Sequence, residues 1–230
     1  MANDALGMNP VQLPVEQHPL APFLPPNGRL LMLGSFPPPQ KRWCMSFYYP
    51  NYTNDMWRVF GLVFFGDALH FVDVEAKTYR KDEIISFLNR VGVGIFDTAS
   101  AVRRLQGDAS DKFLEVVTPT DVGSLLARMP QCCAMVTTGQ KATDTLCQRF
   151  GVVQPKVGAS VIIPATDAPV IIPATDAPAP DAPRHELKLY RMPSTSRAYP
   201  LSLQKKADAY AQMFREVFPE MFHEVFPDVL

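Results

Sequence analysis

The sequence predicts an α/β fold in which helices cover both faces of one mostly parallel sheet. Short apolar segments predict strands at residues 29–34, 92–96 and 133–137, and the alternating segment at 185–190 predicts another. Segments with helical periodicity lie between most of them, and strand–loop–helix alternation is typical of a single three-layer α/β/α sandwich. A chain of 230 residues can bury the core of such a domain without disulfides or metal.

The predicted elements follow one another in a regular order. The strand at 29–34 ends in Gly34 and opens into a Pro-Pro-Pro segment, and the next helix starts at Asn54, its expected N-cap. Further helices are predicted at 81–91, 121–129, 140–150 and 203–218. Because ligands bind outside the carboxyl ends of parallel strands, we expect the loops after Leu33, Thr137 and Tyr190 to share one cleft.

Proline is concentrated near the N-terminus and at residues 164–183, which predicts irregular segments attached to a regular core. We expect a proline-rich arm (1–28), which either crosses the domain or extends from it, a core domain (29–218) and a C-terminal extension (219–230). Within the core, VIIPATDAP is repeated letter for letter at 161–169 and 170–178. Two copies are too few to stack as a solenoid, so a loop insertion at about 158–183 is predicted.

Composition excludes several classes of protein. The formal net charge is −1, which excludes a uniformly basic coat but allows a local basic patch. The four cysteines lack zinc or iron–sulfur spacing and the four histidines are scattered, so no metal, cluster or other cofactor is expected. The cysteines are best explained as buried thiols in a reducing compartment. No apolar segment approaches the roughly 20 residues that a membrane helix needs. Both observations predict a cytoplasmic protein.

Two local motifs are too incomplete to define a nucleotide or nucleophile site. Gly139–Ala142 lacks the full frame of a phosphate-binding P-loop, and Ser35 lacks both the G-x-S-x-G turn and a placed histidine. By contrast, residues 194–196 carry three hydroxyl groups and follow a predicted strand. These hydroxyls and the adjacent backbone N–H groups could bind a phosphate, or the segment could form a turn that caps the following helix. Residues 184–206 carry six basic side chains and one acidic one, which favours the phosphate contact.

Five motifs in this order carry a family resemblance: LMLGSFP, FYYxNxxNxxW, GIFDTASAVRRLQGDASD, VTTGQKA and RMPSTSRA. Together they resemble the uracil-DNA glycosylase superfamily, and within it the hypoxanthine (deoxyinosine)-DNA glycosylases and the mismatch-specific glycosylases. The resemblance covers about residues 30–211, apart from the repeated insertion. It implies the three-layer fold of that superfamily.

The resemblance also implies roles for residues of the first two motifs. Residues 34–37 match the loop that faces the flipped base, and Phe36 stands where the uracil enzymes have a catalytic Asp. Asn54 matches the essential Asn of the hypoxanthine branch, and Tyr49 the aromatic that stacks on the extruded base. The expected base-binding residues are Gly34, Ser35, Phe36, Phe47 and Tyr49, and the expected catalytic residue is Asn54.

The last motif matches the loop that presses on DNA in this superfamily. The expected DNA-binding residues are Pro193, Ser194, Thr195, Ser196 and Arg197. Met192 takes the place of the His with which the uracil enzymes contact a uracil carbonyl. In the Asn54 motif, Asp55 and Met56 stand where the family has Arg-Phe.

These assignments predict a monomeric, monofunctional DNA glycosylase that acts in base-excision repair and leaves an abasic site. Its substrate is a flipped hypoxanthine, uracil or mismatched thymine; Asn54 would hold water or the base, and N–H groups of the Gly34 loop would stabilise the leaving base. One alternative is a catalytically degenerate DNA-binding module, because Phe36, Met192 and Asp55 leave few ionisable groups for catalysis. Another is a protein-interaction role for the aromatic tail at 213–230, for which helix–core packing is the simpler explanation.

Overall fold

The computed structural model describes residues 13–106, 111–164 and 186–223. The strands are β1 (Val15–Gln17), β2 (Leu30–Gly34), β3 (Val72–Asp73), β4 (Thr78–Tyr79), β5 (Val93–Asp97), β6 (Ala99–Arg104), β7 (Leu114–Pro119), β8 (Ala134–Thr137), β9 (Ala159–Ile163) and β10 (Leu187–Arg191). The helices are α1 (Met56–Phe65), α2 (Lys81–Val91), α3 (Val122–Ala127), α4 (Gln140–Phe150), α5 (Leu203–Val217) and α6 (Pro219–His223). Single 3-10 turns occur at Gln40–Arg42 and Asp111–Phe113.

The central sheet has five strands in the order β5-β2-β8-β10-β9. All pairs are parallel except β10–β9, which is antiparallel and forms one edge. Every residue of β2, β5 and β8 is buried, in keeping with their continuous apolar sequences. The predicted mostly parallel α/β sheet is therefore confirmed. Strand β9 was not predicted, and it occupies the first residues of the segment expected to be a loop insertion.

The strand order creates a crevice between β2 and β8. The chain passes from β2 to β5 on one side, then returns to β8 and β10 on the other side. Because parallel crossovers are right-handed, this reversal places α1 and α2 on one face and α3 and α4 on the other. Helix α5 packs on α1, with the Phe60 and Phe214 rings 5.2 Å apart. The reversal is the topological switch point at which such sheets bind ligands.

A second, antiparallel sheet joins the N-terminal segment to the core. Its order is β1-β6-β7, with Val15 opposite Arg103. Further along, Phe23 and Ile95 exchange both backbone hydrogen bonds, at 3.0 and 2.8 Å. Residues 13–28 therefore lie across the domain. This sheet was not predicted, because its pairings are non-local and β6 (ASAVRR) has little β-branched or aromatic character.

The start of α1 differs from the prediction in one respect. Asp55 occupies the N-cap position, although its side chain makes no capping hydrogen bond. Instead, the Met56 N–H donates to Asn54 Oδ1 at 2.9 Å. The Asn54 side chain thus stabilises the helix start from one residue earlier than an N-cap.

The aromatic side chains near the C-terminus belong to the core. Phe214 and Phe218 are buried, and the Phe222 ring lies 5.7 Å from that of Phe64. These contacts agree with helix–core packing rather than a free interaction surface, while Phe226 and most of the repeated insertion lie outside the described residues. Among the residues that are described, no helix is both long and apolar enough to cross a bilayer.

Candidate active site

A cleft of about 520 Å³ opens at the carboxyl ends of β2, β8 and β10. It lies at the switch point of the sheet, as the parallel topology predicts. Its lining comprises Gly34, Ser35, Phe36, Pro37, Pro38, Arg42, Tyr48, Tyr49, Pro50, Asn51, Asn54, Asp97, Asp111, Lys112, Thr138, Ser194, Thr195, Ser196 and Ala198. Loops from distant parts of the chain thus meet in one concave surface.

The floor of the cleft requires glycine at the end of β2. Gly34 and Asp97 are register partners on adjacent parallel strands. A Cβ atom on residue 34 would lie 2.3 Å from Asp97 Oδ1, well inside van der Waals contact. The absence of a side chain therefore allows the Asp97 carboxyl group to lie over the end of β2.

Asp97 is held by a histidine from the N-terminal segment. His18 Nε2 lies 2.8 Å from Asp97 Oδ2, and its Nδ1 lies against the backbone of Leu20. Because a carboxylate only accepts hydrogen bonds, Nε2 carries the proton in this contact. The imidazole ring is enclosed by aromatic neighbours: Phe36, Tyr48 and Phe96.

A second carboxyl group in the cleft, that of Asp111, is bound to the residue that follows Gly34. The Ser35 hydroxyl donates to Asp111 Oδ1 at 2.6 Å. Burial raises the pKa of Asp111; the Ser35 hydrogen bond opposes this effect, whereas the Asp97 charge adds to it. The cleft therefore contains two acidic side chains in different environments.

Tyr49 lines the cleft in a strained backbone conformation. Its φ is +49°, which is uncommon for a residue with a side chain. Its hydroxyl lies 3.0 Å from Thr138 Oγ1, across the gap between β2 and β8. Burial raises the pKa of Tyr49, so the phenol remains neutral at physiological pH. Strain of this kind is concentrated at functional sites.

Asn54 reaches the same cleft from the start of α1. Its Oδ1 accepts the Met56 N–H, which fixes the amide plane and leaves the NH₂ group without a hydrogen-bond partner among the described residues. An amide held in this way is suited to donate hydrogen bonds to a ligand in the cleft.

The loop at 193–198 is fastened to α1 by a buried ion pair. Lys206 Nζ lies 2.9 Å from Asp55 Oδ2 and donates to the Ser196 carbonyl at 2.9 Å, while the Asp55 N–H donates to the Thr195 carbonyl at 2.8 Å. Arg197 adds a contact to Asp55 Oδ1 at 3.3 Å. Asp55 is therefore neutralised internally and does not present a free negative charge to the cleft.

The structure brings most of the predicted site residues together, but not all. Gly34, Ser35, Phe36, Tyr49, Asn54, Ser194, Thr195 and Ser196 line the cleft. Phe47 does not, because its ring is buried against Phe23, Tyr48 and Trp57. Pro193 is buried and Arg197 is exposed, and neither belongs to the cleft lining.

The predicted basic patch is smaller than the sequence count indicates. Lys206 is 1% exposed and pairs with Asp55, as does Arg197. Arg191 donates to Gln154 and to the Pro155 carbonyl. Arg42 and Lys112, which were not predicted, line the cleft rim as exposed cations.

Three side chains of the cleft region, those of His18, Asp97 and Asp111, were not predicted as candidate site residues. The two aspartates lie within the GIFDTASAVRRLQGDASD motif, and Asp97 ends an apolar strand, where a polar side chain faces the ligand edge of a sheet. No local signal distinguishes His18. Across the described ranges, no group of three or more His, Cys, Asp or Glu side chains is arranged to hold a metal ion.

Comparison with known proteins supports the fold. The structure matches the solution NMR structure of a protein from Methanosarcina acetivorans that is described as a "putative Uracil DNA glycosylase". The TM-score is 0.51 at 19% sequence identity, covering 88% of this chain and 98% of that one. No protein-family model and no curated protein matches the sequence. The expected α/β fold is thus confirmed: it is the fold of that neighbour.

Proposed function

We propose that this protein is a monofunctional DNA glycosylase. It would hydrolyse the N-glycosidic bond of a flipped hypoxanthine, uracil or mismatched thymine and leave an abasic site. The observation that carries the proposal is the cleft itself, in which the Gly34 loop, Tyr49, Asn54 and the 194–196 loop meet at the switch point of a glycosylase-like fold. A base inside a duplex must be extruded before a pocket of this kind can hold it.

Each part of the cleft has a role in this proposal. The aromatic rings of Tyr49 and Phe36 stack on the extruded base, which recovers about 1–3 kcal/mol per base. Backbone N–H groups of residues 34–36 stabilise the negative charge on the leaving base. Asn54 donates from its NH₂ group to the base or sugar. Phe47 supports the aromatic wall from behind, through Tyr48 and Trp57.

In this proposal, the DNA backbone contacts the loop at 193–197 and the exposed cations at the cleft rim, Arg42 and Lys112. Ser194, Thr195 and Ser196 line the cleft, while Pro193 shapes the loop and Arg197 lies at its outer end. Because Lys206 and Arg197 neutralise Asp55, an acid at this position is compatible with a nearby phosphate. We further propose that the protein acts on DNA as a monomer, without metal, and in the cytoplasm.

The competing function is a catalytically inactive DNA-binding module of the same fold. Its main support in the sequence was the lack of ionisable groups near the base pocket. Asp97 and Asp111 line the cleft, so acidic groups for proton transfer are available. This favours the enzyme over the binding module.

The test is an alkaline strand-cleavage assay on duplexes that carry one deoxyinosine, deoxyuridine or mismatched thymine. We expect cleavage by the wild-type protein, and Asn54→Ala to lose it while still binding the same duplexes. Asn89→Ala is the matched control, because it changes an exposed asparagine of α2 outside the cleft lining, and it should cleave normally. Absence of base release by folded wild-type protein on every substrate would refute the enzyme and favour the binding module.

A further inference from the structure

Phe36 lines the cleft next to Ser35, and its apolar ring cannot accept a proton, so another group must activate the attacking water. Hydrolysis at C1′ requires a group that accepts a proton from water as the water attacks. Asn54 is poorly suited to this task, because an amide is not a base and its oxygen already accepts the Met56 N–H. The proton acceptor therefore has to come from elsewhere in the cleft.

Two carboxyl groups line the cleft, and their contacts differ. Asp111 Oδ1 accepts the Ser35 hydroxyl at 2.6 Å, and its Oδ2 lies toward Gly139, 3.7 Å from where a Cβ atom on that glycine would be. The second oxygen of Asp111 therefore lies beside the start of α4. Asp97 is bound through Oδ2 alone. Its Oδ1 lies over Gly34 and accepts no hydrogen bond from the described residues.

The Asp97 carboxyl group is also well positioned. It is 10% exposed, and the His18 side chain that contacts it is 4% exposed. The aromatic rings around His18 restrict its movement, and β1 attaches the N-terminal segment to β6. A carboxylate held through one oxygen, with the other oxygen open to a cleft, is the arrangement expected of a general base.

We propose that Asp97 is the general base of the glycosylase reaction and that His18 positions it. This inference rests on the proposed function. As water attacks C1′, one water proton moves to Asp97 Oδ1, a new C1′–O bond forms, and the C1′–N bond breaks with its electron pair leaving on the base. The base is released as an anion, which the N–H groups of the Gly34 loop stabilise until it takes up a proton from solvent. The N-terminal segment thereby completes the active site.

The experiment measures single-turnover base release from a duplex with one deoxyinosine. Asp97→Asn keeps the shape of the side chain and should slow release by at least about 100-fold, the lower range for general base catalysis. His18→Gln should slow it by roughly 10- to 100-fold, because misplacing a reacting group by about 1 Å has an effect of this size. Asp208→Asn and His70→Gln change residues outside the cleft lining and should leave the rate unchanged.

A pH profile separates catalysis from a structural role. The titratable groups that face Asp97 are His18, Asp111, Tyr48 and Tyr49, and burial raises the pKa of both tyrosines, so they stay neutral. The wild-type rate should fall as acidic pH protonates the general base. The same fall should persist in Asp111→Asn and disappear in Asp97→Asn.

The outcomes distinguish this inference from the proposed function. If folded wild-type protein releases no base, the function itself is wrong. If the wild type is active and Asp97→Asn retains its rate within about threefold, a barrier change of under 1 kcal/mol, the function stands and the assignment of Asp97 is overturned. Should Asp97→Asn fail to fold, a wild-type rate that does not fall toward acidic pH would overturn it instead.

Discussion

Replacing Lys206 by methionine should destabilise the protein strongly. Methionine keeps an unbranched apolar stem of similar length but removes the ammonium group. The Lys206 side chain is 1% exposed and that of Asp55 is 9% exposed, so the Asp55 carboxylate would remain buried without its main partner. Breaking a buried ion pair in this way costs about 3–5 kcal/mol. The Ser196 carbonyl would also lose its hydrogen bond from Nζ.

The lower end of that range applies here. Arg197 stays 3.3 Å from Asp55 Oδ1 and compensates part of the charge, although its side chain is 53% exposed and therefore screened by solvent. We expect a loss of about 3 kcal/mol in the free energy of unfolding. For a chain of this size, that corresponds to a fall of roughly 6–12 °C in melting temperature.

Urea unfolding followed by tryptophan fluorescence measures the effect, since Trp57 is buried in the core. Lys205→Met is the matched control: it changes the adjacent, exposed lysine and should alter stability by no more than about 0.5 kcal/mol. The double variant Asp55→Asn/Lys206→Met should be less destabilised than the sum of its single variants. If Lys206→Met and Lys205→Met differ by less than about 1 kcal/mol, the ion pair does not fasten the loop to α1.

Two further predictions concern the floor of the cleft. Gly34→Ala should displace the Asp97 carboxyl group, because the new Cβ would lie 2.3 Å from Oδ1; base release should fall sharply in the strand-cleavage assay. Gly66→Ala, with open space around it and φ of +66°, should cost only about 1–2 kcal/mol of stability and leave cleavage intact. Burial raises the pKa of Asp111, so the folded protein binds the proton of this carboxyl group more tightly than the unfolded chain does. The contribution of Asp111 to stability should therefore decline as pH rises above 3.8, the usual pKa of an aspartate. In urea unfolding across acidic pH, the stability of the wild type relative to Asp111→Asn should decline over this range; a difference that stays constant with pH would contradict the prediction.

Much of the fold could be predicted from the sequence because its signals are local. The apolar segment that forms β2 and the periodic segment 140–150 that forms α4 predict their own structure. Parallel strands separated by helices then bring their carboxyl ends to one edge, and this rule places the cleft. The same rule and the family motifs predict that Ser35, Tyr49 and Asn54 lie near one another, and all three line the cleft.

Other features depended on tertiary packing alone. The His18–Asp97 contact joins residues 79 positions apart, Ser35–Asp111 joins residues 76 apart, and Lys206–Asp55 joins residues 151 apart. No periodicity or spacing predicts such pairs, because they form only when strands and loops from separate parts of the chain pack in one register. The same packing turns Phe47 into the core, whereas Tyr49 adopts a positive φ and lines the cleft. The sequence by itself therefore determined the parallel strands, the helices between them and the position of the cleft, whereas tertiary structure decided the antiparallel strands and which acidic and basic groups meet within the cleft.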